Sequence, residues 1–179
     1  MKVLGLAGWS GAGKTTLMAS LIPLLVEAGL RVSTIKHAHH DFDVDQPGKD
    51  SHVHRAAGAS EVLISSARRW VLMHELRDEG ELDLAALLTR LAPCDLVIVE
   101  GFKHGTHPKL EIFRAANGRP PLHPSDASVV AVASDTPFPA ALVPVIDLDD
   151  IKAVRDAVLT HAAPLGDVLA RLERHGAAE

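Results

Sequence analysis

A single cysteine, Cys94, is all that this chain offers to thiol chemistry. With no second thiol an intrachain disulfide is excluded, and a reducing cytoplasm is the expected compartment. Cys94 stands just before an apolar run, which predicts a buried thiol rather than a nucleophile. Tyrosine is absent and aromatics make up only 3% of residues, so the core must be aliphatic. No apolar run reaches the roughly 18 residues that a membrane-spanning helix needs. No leader pattern precedes the first strand-like run, which begins almost at Met1. Positive charge is not in excess: the net charge is −5, which argues against a duplex nucleic-acid surface. Repeats, low-complexity tracts and linker-like stretches are also missing. Residues 1–179 therefore read as one α/β domain.

What is present is a glycine-rich phosphate loop. Gly8-Trp9-Ser10-Gly11-Ala12-Gly13-Lys14-Thr15 fits G-x-x-x-x-G-K-[ST]. It follows the apolar run Val3–Ala7 and precedes a helical pattern, the strand–loop–helix context that the motif requires. Glycine lets successive N–H groups turn inward into an anion nest. The helix N-terminus behind adds unpaired N–H groups and a positive dipole end. Lys14 can reach β- and γ-phosphates, and the Thr15 hydroxyl can hold Mg²⁺.

The rest of the chain predicts alternating strands and helices. Leu17, Leu21, Leu24, Leu25 and Ala28 give a helix over 14–28, with Pro23 inside it and Gly29 ending it. Strands are expected at 31–36, 95–100, 129–133 and 143–146, and a β-pair at 61–65 and 69–74. Asp50 or Ser51 should cap a short helix, and Asp149 or Asp150 one that runs to His161. Helices are also expected at 81–91 and 165–174. Residues 109–114 alternate as a half-exposed strand would, and with 61–74 are candidates for pairing across a twofold. The expected fold is P-loop NTPase-like: a mainly parallel sheet, covered by helices on both faces, with an added hairpin or antiparallel strands.

Ligands of such sheets lie beyond the carboxyl ends of the strands. That edge should gather Gly8–Thr15, His37–Ser51, Glu100–His104 and Ser134-Asp135. Glu100 ends an apolar strand as a Walker B acid does. It is a candidate to hold Mg²⁺ or orient water. Asp41, Asp43 and Asp45 can supply a further Mg²⁺ contact or a base. His37, His39 and His40 leave a transition-metal site open, against substrate contacts or a solvated loop. Lys36, Lys49, Lys103 and His104 can add positive charge around an anionic ligand. The N-K-x-D guanine motif is missing, but Asp135 occupies its place in chain order. An Asp acceptor pair there would favour guanine over adenine.

These residues also carry a family resemblance. The Gly-Lys-Thr-Thr of the loop, the block Lys36–Asp45, Pro47–Ser51 and Val99-Glu100-Gly101-Phe102-Lys103 resemble the molybdopterin-guanine dinucleotide biosynthesis protein B family (MobB). The resemblance covers most of the chain, at least through Asp135. It implies a SIMIBI-like GTP-binding protein, usually a homodimer, with weak GTPase activity at most. It also implies a partner, the MobA guanylyltransferase that joins GMP to molybdopterin. The family's nucleotide residues carry over onto Ser10, Gly11, Ala12, Gly13, Lys14, Thr15 and Thr16. The expected ligands are GTP and Mg²⁺, with molybdopterin as a possible second one. Lys14, Glu100 and Asp45 are the candidates for turnover, and Thr15 and Glu100 for the metal. A small-molecule kinase, a GTP-driven metallochaperone and a non-enzymatic adaptor remain alternatives.

Overall fold

A computed structural model of the chain describes residues 1–38 and 42–176. The chain forms two compact units: Met1–His37 with the chain from Leu84 onward, and Ala38–Asp83.

The first unit begins with β1 (Lys2–Ala7), α1 (Lys14–Glu27) and β2 (Val32–Lys36). The second contains α2 (Asp50–Ala56), β3 (Glu61–Ser65) and β4 (Trp70–His74). The first then resumes with α3 (Leu84–Arg90), β5 (Leu96–Glu100), β6 (Lys109–Phe113), β7 (Val129–Ser134), β8 (Val145–Asp147), α4 (Ile151–His161), the two-residue β9 (Ala163–Pro164) and α5 (Leu165–Gly176). Its sheet has the order β2-β5-β1-β6-β7-β8, all parallel, with β9 antiparallel to the start of β1. This is the expected fold class.

Alternation along the strands splits the core in two. Leu4, Leu6, Ile98, Leu110 and Ala131 meet Leu17, Leu21 and Leu25 of α1 and Val154 and Val158 of α4 on one face. Val3, Val97 and Val99 meet Leu84 and Leu88 of α3, Val168 of α5 and the buried Cys94 on the other. Both faces are thus covered, as a parallel sheet requires. Pro23 lies inside α1 without ending it. Asp150, not Asp149, caps α4: its carboxylate accepts from the Lys152 and Ala153 N–H groups. Asp150→Ala should cost about 1 kcal/mol of stability, read as a lowered urea midpoint at unchanged m-value.

β6 departs from expectation. It is a central strand between β1 and β7, not a half-exposed one. Lys109, Leu110, Glu111 and Ile112 are all buried. The polar pair faces the segment 103–126 rather than water. Lys109 Nζ donates to the Lys103 carbonyl and to Asp126, and Glu111 accepts from the Leu122 and His123 N–H groups. With ladders on both edges, β6 cannot pair with another copy.

In the second unit β3 and β4 form an antiparallel pair from Glu61–His74 to Ser65–Trp70. Ser66 closes the connection, donating its N–H to the Arg69 carbonyl and accepting the Arg69 N–H at Oγ. Leu63, Ile64, Trp70, Val71 and Leu72 of this pair are exposed. Neither Asp50 nor Ser51 caps α2; Lys49 is its N-cap, with no side-chain bond.

Candidate functional site

The loop after β1 has the conformation of an anion nest. Gly8, Gly11 and Gly13 have φ of 145°, 81° and 91°, which only glycine adopts readily. A Cβ on Gly8 would lie 2.6 Å from the Ile112 carbonyl oxygen, so this turn leaves no room for a side chain. Ala12 turns its methyl into the core. Gly13 is the N-cap of α1, with no side-chain cap and no acid in the first turn. The positive end of the helix is therefore left uncompensated by the chain. Thr15 and Thr16 lie exposed on that first turn, and Ser10 is exposed on the loop. Lys14 folds back over the loop: its Nζ donates to the Gly8 carbonyl at 2.8 Å and to the Trp9 carbonyl at 3.1 Å.

Glu100 closes one side. The register sets Lys36, Glu100 and Leu6 abreast across β2, β5 and β1. Burial pushes the Lys14 ammonium below the ordinary lysine value; Glu100 opposes this, and Lys103 and Lys36 add to it. One acid and three lysines thus share an electrostatic neighbourhood. After Glu100 the chain turns sharply. Gly101 has φ 103° and Phe102 φ 49°, and the Phe102 ring packs 4.9 Å from that of His37. A Cβ on Gly101 would meet the His37 Cβ at 2.5 Å, which requires glycine there. Lys109 holds this loop through the Lys103 carbonyl.

The other side is made by the segment that follows β6. After β6, Arg114 leads into a single 3₁₀ turn, Ala115–Asn117. Asn117 Nδ2 donates to the Ser10 carbonyl at 3.3 Å, and Trp9 Nε1 donates to the Pro120 carbonyl at 2.8 Å. Arg119 and Lys103 lie over the Trp9 ring, 5.5 and 5.8 Å from its centroid. Asp135 reaches the same turn, its Oδ1 accepting the Ala115 N–H at 2.9 Å. The only available signal was position, because Arg114 follows directly on a strand ending at this edge.

Lys14, Thr15, Glu100 and Asp135 therefore belong to the first unit, around one sheet edge. Asp45 belongs to the second and its carboxylate is engaged there. Oδ1 accepts from Ser51 Oγ and the Gln46 N–H, and Oδ2 from Arg55 Nε. Arg55 also grips Asp43 and Glu75, at 2.9 and 2.8 Å. Among the described residues no group of three or more His, Cys, Asp or Glu side chains could hold a metal ion. His39, His40 and Asp41 lie outside the described residues. No described helix is long and apolar enough to cross a membrane.

The chain is similar to several known proteins in sequence and in fold. A family model described as molybdopterin guanine dinucleotide synthesis protein B matches residues 3–135. The molybdopterin-guanine dinucleotide biosynthesis adapter protein of Escherichia coli K12 is 47% identical over 160 residues, 88% of this chain and 91% of that protein. The adapter protein of that name from Haemophilus influenzae is 39% identical over 156 residues, 87% and 86% of the two chains. Among solved structures, a MobB homolog from Bacillus stearothermophilus superposes with a TM-score of 0.66 at 27% identity, covering 89% of this chain and 99% of that one. Bacillus subtilis MobB gives 0.70 at 23% identity, over 90% and 98%, a likeness of fold.

Proposed function

The chain belongs to the molybdopterin guanine dinucleotide synthesis protein B family, and from that membership we propose that it binds GTP with Mg²⁺ and assists the attachment of GMP to molybdopterin. Membership places it in molybdenum cofactor biosynthesis alongside relatives named adapter proteins. Its expected partner is a MobA-like guanylyltransferase, with molybdopterin as a possible second ligand and the cytoplasm as the compartment.

The observation that carries the reading is Lys14, bonded back onto the Gly8 and Trp9 carbonyls at the uncapped start of α1. The donor set fits a phosphate chain: backbone N–H groups of a loop turning on Gly8, Gly11 and Gly13 and of the uncapped first turn of α1, the helix dipole, and an ammonium within reach. Thr15 and Glu100 would hold Mg²⁺, a hydroxyl and a carboxylate being the hard oxygen ligands that it takes. Bound there, the ion would neutralise charge on the β- and γ-phosphates. Asp135 would read the guanine edge with the oxygen not given to Ala115. Hydrolysis would be weak at most, with Asp45 as a candidate for turnover. Residues 1–179 would act as one GTP-binding domain. The exposed apolar hairpin β3–β4 would pair with a second copy, because an isolated two-stranded sheet is marginal in water.

The test is a pair of calorimetric titrations, Mg·GTP against Mg·ATP. GTP should bind about 10-fold or more tightly, and Asp135→Ala should bring the two together. Equal affinity in the wild type would overturn the guanine reading, and no binding of either would overturn the whole.

A further inference from the structure

The segment after β6 is fastened to the phosphate loop at several points. Asn117 bonds Ser10, Trp9 bonds Pro120, and Arg119 covers the Trp9 ring. The approach is close at the glycines too. A Cβ on Gly11 would lie 3.2 Å from Asn117 Oδ1, and one on Gly13 would lie 3.3 Å from Arg114 Nε. Gly13 is the N-cap of α1, so the Arg114 guanidinium stands beside the backbone that opens the helix.

Two features prepare Arg114 for an anion. Its backbone is extended at the strand end, φ −128° and ψ 124°, and the next N–H is pinned by Asp135. The side chain therefore starts from a fixed root, which lowers the entropy lost on gripping a ligand. Its ion pair with Asp149 is loose: the gap is 4.0 Å and the Asp149 side chain is 80% exposed. Exposed pairs at such distances contribute little and exchange readily. A guanidinium offers a planar fork that matches phosphate oxygens in a bidentate way.

Position decides what it would touch. β1 has β5 on one side and β6 on the other. Glu100 and Lys36 border the loop from the β5 side, and Arg114 from the β6 side. Glu100, proposed above to hold Mg²⁺, belongs to the first side, and the terminal phosphates of a Mg²⁺-bound nucleotide would be drawn toward it. We propose that Arg114 is a further phosphate-binding residue of the nucleotide site, contacting a phosphate that di- and triphosphates share. The contact is blind to the base.

This rests on the GTP-binding reading, and the experiment separates the two. Arg114→Ala should weaken Mg·GTP and Mg·GDP by about the same factor, 10-fold or more, with the GTP-to-ATP preference unchanged. Arg114→Lys, which keeps the charge but loses the fork, should fall between. If the alanine variant does not fold, by circular dichroism, Arg114→Gln takes its place with the same expectation. Wild-type affinity in a folded Arg114→Ala or Arg114→Gln protein overturns this proposal alone. So does a loss confined to GTP, or an altered base preference. A wild-type chain that binds no nucleotide overturns this proposal together with the function reading.

Discussion

Lys14→Ala is expected to lower GTP affinity by about 100-fold or more in equilibrium titration, with little change in the unfolding midpoint. The folded chain loses two partly buried bonds to the Gly8 and Trp9 carbonyls, each worth only about 1 kcal/mol net. The bound state loses far more. Lys14 is the partly buried cation of the site, and burial together with Lys103 and Lys36 makes its charge costly before ligand arrives. A polyphosphate relieves that cost, since its anionic oxygens screen the lysines from one another while bonding the ammonium. The stabilisation therefore appears on binding and not in the free protein, as differential affinity demands. Lys36→Ala and Lys103→Ala should each cost much less, because both side chains are exposed and solvent weakens their contribution. Affinity retained in a folded Lys14→Ala protein would remove the basis of the nucleotide assignment.

The phosphate loop was legible because its determinants are local. Gly8, Gly11, Gly13 and Lys14 lie within one turn of chain, and an apolar strand and a helical stripe flank them. The same holds for Asp150, whose cap involves only its own next three residues. Misreadings came where long-range packing overrode the local pattern. Lys109 and Glu111 alternate with Leu110 and Ile112 as though facing water, but the 103–126 segment supplies their partners. Period-two alternation reports polarity and cannot separate solvent from a polar loop. Arg114 and Asn117 escaped notice for a related reason. Their nearness to Gly13 and Gly11 follows from β6 lying beside β1, a pairing that joins strands about a hundred residues apart. The partners of Asp45 include Arg55, ten residues on, and nothing in the local pattern of the chain announces that pairing. In the structure that arginine gathers Asp43, Asp45 and Glu75.

His107 should withdraw about 2 kcal/mol of stability between pH 7 and pH 5. The ring is fully buried and wedged between two glycines: a Cβ on Gly5 would lie 2.5 Å from Nε2, and one on Gly105 2.8 Å from Nδ1. Neither nitrogen has a hydrogen-bond partner among the described residues. A charged imidazolium there would lack both water and an acceptor. Burial first, and the neighbouring Lys109 ammonium second, push the ring down from 6.5 to about 4, against a weaker pull from Asp126. Histidine in the unfolded chain keeps its ordinary value, so between the two values the unfolded state binds more protons. The slope of stability with pH is then positive. The full contribution is present above about 6.5, declines as pH falls, and is exhausted near 4, after a total loss of roughly 3 kcal/mol. Urea unfolding at pH 7 and pH 5 would measure it. His107→Asn, which cannot titrate, should be less stable at pH 7 yet nearly level down to pH 5. An equal slope in that variant would assign the acid sensitivity to other groups. His74 would not be among them: its bonds to Glu61 and Glu79 hold it above the ordinary value, so it favours the folded chain as pH falls.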